Sequence, residues 1–275
     1  MALPPHASWA ERAWRYAYGL ACALVFVFLV APILVIIPLS FNAGAFFTYP
    51  LTGVSLRWYR EFLGGAQWQR AAENSVIVGL GATVLATGLG TLAALGLHRA
   101  RLPFRRAAVA ILLSPMVVPV IITAVGMFYF YARIGLANTL SGLIVAHAAL
   151  GIPFVFVTVS AVLSTLDHDL VRAAASLGAG PVRVLLTVVL PLILPGVVTG
   201  GLFAFTTSWD DAVVVLFLAS ARQHTLPRQM WSGIREFISP TLLAVATLLI
   251  VLSISLMLVV ELLRRKGERL RGVMP

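Results

Sequence analysis

Two adjacent carboxylates, Asp210 and Asp211, interrupt a stretch that otherwise carries no charge from Val184 to Ala219. A carboxylate within hydrocarbon carries an insertion cost of at least about 2.5 kcal/mol, so it normally faces a water-filled cavity or a partner. The chemistry such a pair offers is attraction of a cation. Trp209 beside it adds a ring face that could hold an ammonium group, worth about 0.5–2 kcal/mol. The same carboxylates would equally serve to end a helix or to pair with Arg222, Arg228 or Arg235, and both readings stay open on sequence alone.

Other reactive constellations are missing. His147 falls inside an apolar run, where a hydrogen-bonded packing role is expected rather than a ligand's. His168, between Asp167 and Asp169, lacks the further ligands a metal needs. The sequence holds no His-Glu-x-x-His pair, no spaced Cys/His set and no serine elbow, and Cys22 is its single cysteine. It also lacks the glycine-rich loop ending in Gly-Lys-Ser/Thr, so it cannot hold ATP in the P-loop manner. These absences predict a chain that is not an enzyme and holds no cofactor or metal of its own.

The elements that must position Asp210 and Asp211 follow from composition. Of 275 residues, 60% are hydrophobic and 11% are charged, and mean hydropathy is +0.97. A soluble domain carries about 25% charged residues. The net charge of +10 then points to basic loops and anionic headgroups rather than to nucleic acid. Charge-free windows long enough for the roughly 20 apolar residues of one span predict an all-α membrane protein with six transmembrane helices. They lie at about 17–39, 75–97, 107–131, 138–163, 186–209 and 240–263, in one permease-like domain covering 1–275. The apolar run from Leu20 to Leu39 is too long for the core of a secretory signal and is read as a helix. Basic residues concentrate after the second and sixth spans, at Arg99, Arg101, Arg105 and Arg106 and at Arg264, Arg265, Lys266, Arg269 and Arg271. The positive-inside rule therefore predicts cytoplasmic N and C termini.

Several local features refine that frame. Ala82, Ala86, Gly90 and Ala94 form a small-residue row at spacing four, and Gly196 and Gly200 repeat it, as close packing of helices in lipid requires. Pro115 and Pro119 predict a kinked third span. Leu56–Leu63 reads as a short amphipathic helix with Trp58, Tyr59 and Phe62 as interfacial anchors. Between the fourth and fifth spans, 164–185 is too long for a simple turn. Asp167 or Asp169 can cap a helix, Leu170, Ala173, Ala174 and Leu177 share one face, Gly178 and Gly180 stop it, and Pro181 opens a second helix.

Within that loop, Arg172-Ala173-Ala174, three residues, Gly178, nine residues and Val188-Val189-Leu190-Pro191 resemble the cytoplasmic motif of ABC importer permease subunits. The family usually has glutamate where this chain has Arg172. Pro38–Asn42, Leu56–Leu63, Ser208–Asp211 and Leu226-Pro227 are similar to the spermidine/putrescine-type branch. The resemblance implies a type I importer permease fold in a bacterial-type inner membrane. It implies that Arg172, Ala173, Ala174, Leu177 and Gly178 form a coupling helix docked on an ATPase subunit. It further implies an ATP-binding subunit dimer carrying ATP-Mg, a second related permease giving a heterodimer, and an extracytoplasmic substrate-binding protein. Asp210, Asp211 and Trp209 would then line the path of a polyamine or similar small cation. An ion-gradient-driven secondary transporter is the alternative, with the two aspartates as ion sites, but it predicts inverted repeats that this sequence lacks.

Overall fold

The computed structural model describes residues 8–46, 48–99, 103–236 and 239–270. Regular structure among them is helical apart from one antiparallel bridge between Asn42 and Val54. Two compact units are present, Met1–Phe62 with Ile238–Leu249, and Leu63–Phe237 with Ile250–Pro275.

The first unit begins with α1 (Trp9–Leu39), whose start is fixed by a capping box between Ser8 and Glu11. No α1 side chain is buried within the chain, and its Phe, Val and Leu side chains face outward, as suits a helix solvated by lipid. After α1 the backbone turns on Asn42, which is 1% exposed. Its Oδ1 accepts from the Gly44 and Thr52 backbone N–H groups, and its main-chain oxygen accepts from Trp58 Nε1 at 2.7 Å. Tyr59 Oη meets Ser40 Oγ at 2.7 Å. Trp58 and Tyr59, at the start of α2 (Arg57–Gly64), thus staple this loop. This corrects the expectation of interfacial anchors, because their polar tips are consumed inside the protein.

The second unit is built on α3 (Ala66–Arg99), α6 (Leu140–Ser164) and α9 (Leu190–Asp210). Helix α6 is the most enclosed of the three, with Leu143, Ala146, Val155 and Val159 each at 0% exposure, while Val145 and Val157 face outward. Ala82, Ala86 and Ala94 of α3 are buried in the same core as Val155, Val159, Ile193 and Ala204. The small-residue rows therefore serve packing within the chain. At Gly200 the approach is closest: a Cβ there would lie 2.7 Å from Val155 Cα.

Between α3 and α6 lie α4 (Arg105–Val117) and α5 (Val120–Ile134), bent by 107° at Val118 and Pro119. The expected span 107–131 is therefore a broken pair rather than one kinked helix. Proline disfavours the helical region for the residue before it, and Val118 is extended at ψ 131. Pro115, one turn earlier, leaves the helix intact because Ser114 Oγ donates to the Ile111 carbonyl at 2.8 Å, the group that Pro115 cannot serve. After α6 come α7 (His168–Ser176), α8 (Pro181–Val184), a π turn at Leu185–Val189, and α9. Beyond α9 are α10 (Val213–Leu218), α11 (Leu226–Glu236) and α12 (Thr241–Leu270). Among the described residues, five helices can cross a membrane, or six if the bent pair is one crossing. Two of the basic residues behind the orientation reading, Arg101 and Arg271, lie outside the described residues.

Gly200→Leu is expected to lower stability by about 1–3 kcal/mol through overpacking. Gly88→Ala, where a Cβ meets nothing within 4 Å, should be neutral or slightly stabilising. Thermal unfolding of the two variants in detergent compares them.

Candidate functional site

The two carboxylates part company at the end of α9. Asp210 is the last helical residue and stays exposed. Asp211 leaves the helix with extended backbone (φ −76, ψ 122), and its side chain turns back into the protein. There Oδ2 accepts from the Val214 N–H at 2.9 Å, satisfying one of the free donors that open α10. The same oxygen lies 3.7 Å from His147 Nε2 on α6. On its other side, His147 Nδ1 lies 2.8 Å from Ser208 Oγ of α9, and the residue is 1% exposed. The Ser208 contact is a hydrogen bond, whereas Nε2 has no hydrogen-bond partner among the described residues and only approaches the Asp211 carboxylate.

Where sequence left a pairing with arginine open, the structure places His147 beside Asp211. Trp209 is 7% exposed and stacks on Phe205, with ring centroids 5.4 Å apart and planes at 20°. It sits behind Asp210 as part of the packed end of α9. The chain then re-enters through α10, whose Val214, Val215 and Leu218 join a core with Val78, Ala124, Leu143 and Ala146. The following turn is clasped by the head of α3. Asn74 Nδ2 donates to the carbonyls of Arg222 and His224, both at 3.0 Å, and Ser75 Oγ accepts from the Leu226 N–H at 2.8 Å. Sequence reasoning passed over Ser208, Asn74 and Ser75, and it gave His147 no partner. The available signal was the same for all four: a polar side chain within or at the edge of an apolar stretch needs a specific partner.

The other end of α9 is joined to the loop after α6. Asp167 caps α7, accepting from the Asp169 N–H at 2.8 Å. His168 stacks on His98 of α3, centroids 5.8 Å apart. Gly178 ends the segment at φ +85, a conformation open to glycine at little cost. Pro181 then starts α8, which runs through the π turn into α9, so the expected second helix is the beginning of the fifth span. Of the four residues expected to share one face, only Ala174 turns inward. Val171, Ala174 and Ala179 pack on the core that holds Val184 and Val189, whereas Leu170 and Leu177 are 48% and 88% exposed. Ala173 is exposed with them, and Arg172 pairs with Asp169 at 3.3 Å on the outer surface. The segment therefore presents a short apolar ridge away from the bundle. The helix from Pro181 to Asp210 is 30 residues long, about 45 Å at roughly 1.5 Å each, so the ridge and Asp210 lie toward its opposite ends.

A family profile described as binding-protein-dependent transport system inner membrane component matches residues 86–269. The spermidine/putrescine transport system permease protein PotC of Haemophilus influenzae is 34% identical over 89% of this chain and 95% of its own length. The putrescine transport system permease protein PotI of Escherichia coli is 32% identical over 86% of this chain and 85% of its own. Among solved structures, a chain from a bacterial ABC transporter involved in import of the acidic polysaccharide alginate superposes with TM-score 0.69. It is 18% identical, and the match covers 94% of this chain and 99% of that one.

Asp211→Ala removes the cap on α10 and should lower stability by about 0.5–2 kcal/mol. Asp210→Ala, at the exposed neighbour, should leave the melting temperature of the purified chain unchanged. Thermal melts of the two variants read the contrast.

Proposed function

The chain belongs to the family of binding-protein-dependent transport system inner membrane components, and we propose that it passes a polyamine or similar small cation. It is the permease subunit of an ABC importer, a multi-pass membrane protein whose homologues are transport subunits rather than enzymes. Transport by a gradient-driven mechanism is thereby set aside. The observation that carries the mechanistic reading is the packing of α7, with its outward apolar ridge, against the start of a helix that runs unbroken from Pro181 to Asp210.

In this reading the α7 end faces the cytoplasm, in agreement with the basic residues near that side, and the membrane is a bacterial-type inner membrane. Leu170, Ala173 and Leu177 insert into a cleft of an ATP-hydrolysing subunit, while Arg172 and Gly178 border the contact. Ala174, turned inward, carries the motion onward: with Val171 and Ala179 it bears on Val184 and Val189. Because protein interiors are close-packed, displacement of α7 moves α9 rather than being absorbed. ATP-Mg is bound and hydrolysed by a dimer of the partner subunit. A second, related permease completes the path, since a heterodimer suits the polyamine-type branch that PotC and PotI represent. A substrate-binding protein delivers the solute at the opposite end. There Asp210 supplies a carboxylate that an ammonium group can approach, and Asp211 and Trp209 hold that end of the path in shape. Cation selectivity follows from charge, since a carboxylate favours an amine over an anion of equal size.

Purification of the tagged chain from its native membranes should bring with it a P-loop ATPase; its absence from a transport-competent preparation would refute the reading. In vesicles carrying the complete transporter, Leu177→Asp should reduce ATP-driven uptake of radiolabelled putrescine by at least roughly tenfold, because an unpaired charge enters an apolar contact. The amount of chain in the membrane should not change. Asp210→Asn should weaken uptake by roughly tenfold as well, as expected for loss of a charge-assisted hydrogen bond, with ATPase association intact.

A further inference from the structure

We propose that His147 is the positioning residue that aims Asp210 at the solute. The inference rests on reading Asp210 as the carboxylate the solute meets. It is motivated by a side chain whose presence packing alone does not explain. His147 sits at 1% exposure in the most enclosed helix of the chain, where an apolar residue would avoid the cost of burying polar atoms. Its two ring nitrogens address the two residues that bracket the end of α9. Nδ1 meets Ser208 Oγ at 2.8 Å, and Nε2 faces Asp211 Oδ2 at 3.7 Å.

Helix geometry converts those two contacts into an orientation. Successive residues are rotated by about 100° around an α-helix, so Asp210 lies roughly 200° from Ser208. With Ser208 held against α6, at 5% exposure, Asp210 must point away from the packed side. Asp211 is held inward as well, by the Val214 N–H and by His147, so the chain cannot rotate at residue 210 to exchange the two carboxylates. His147 touches no solute in this scheme. It acts through Ser208 and Asp211, and it ties three elements, α6, α9 and α10, to the direction of one carboxylate. The Nε2 contact is longer than a hydrogen bond, so it acts as electrostatic attraction, while the Ser208 bond sets the geometry.

The test is the concentration dependence of radiolabelled putrescine uptake by vesicles carrying the complete transporter, normalised to assembled transporter. His147→Ala should raise KM about tenfold, the scale of loss when a binding group is misplaced by a fraction of an ångström to one ångström, with the maximal rate within about twofold of wild type. Ser208→Ala should shift KM in the same direction, and His147→Asn, whose shorter amide stands near the place of Nδ1 and can still meet Ser208 Oγ, should recover much of the loss. Adding His147→Ala to Asp210→Asn should raise KM no further than Asp210→Asn alone, since the histidine then has no carboxylate to aim. An unchanged KM in both His147→Ala and Ser208→Ala, alongside a raised KM in Asp210→Asn, overturns the positioning role and leaves the reading of Asp210 standing. Effects that add fully in the double variant, or a loss confined to the amount of assembled transporter, likewise overturn it. A wild-type KM in Asp210→Asn, or no putrescine uptake by the wild type, removes the reading of Asp210 and the inference with it.

Discussion

In hydrocarbon every backbone N–H and C=O must find a partner inside the protein, and the architecture of this chain follows from that requirement. It explains why spanning segments are helical, and also why each interruption comes with its own repair. Pro115 strands the Ile111 carbonyl, and Ser114 Oγ takes it up. Pro191 cannot donate to Thr187, and the preceding turn widens so that the Leu190 N–H reaches the Leu185 carbonyl. At the start of α10, Asp211 caps a freed N–H. At Val118 and Pro119 the chain instead accepts an open break, and there the two halves diverge by 107°.

Satisfied backbones still have to be brought together, and lipid offers little apolar driving force for that. The α3, α6 and α9 helices approach through alanine and glycine, so their contact is van der Waals packing at short range. Against that background the few polar side chains at helix contacts matter for specificity. His147 with Ser208, and Asn74 with the Arg222 and His224 carbonyls, each join segments far apart in sequence. They fix a single arrangement where small apolar faces alone would tolerate sliding.

The helical class was legible because charge-free windows of the right length are set by bilayer thickness alone, and long apolar helices occupy five of the six windows, the one at 107–131 holding a bent pair instead. The stop at Gly178 and the start at Pro181 were legible because both depend on local backbone preference. Which side of α7 is buried was not: Leu170, Ala173, Ala174 and Leu177 read as one face, yet Ala174 packs inward with Val171 while the two leucines stay exposed. Hydrophobic residues mark an inner face only when no partner outside the chain lays claim to them. Trp58 and Tyr59 misled for the converse reason, since their polar tips meet Asn42 and Ser40 across a loop whose path no local pattern reveals. Likewise Asp210 and Asp211 look equivalent in sequence, and only the end of α9 between them separates an exposed carboxylate from a structural one.

The widened turn at Leu185–Val189 has a consequence for phase. One extra residue in a single turn sets everything downstream back by about a quarter revolution relative to an unbroken helix. The π turn therefore sets the azimuth of the Gly196–Gly200 seam relative to α8, on which α7 and its Leu170–Leu177 ridge pack.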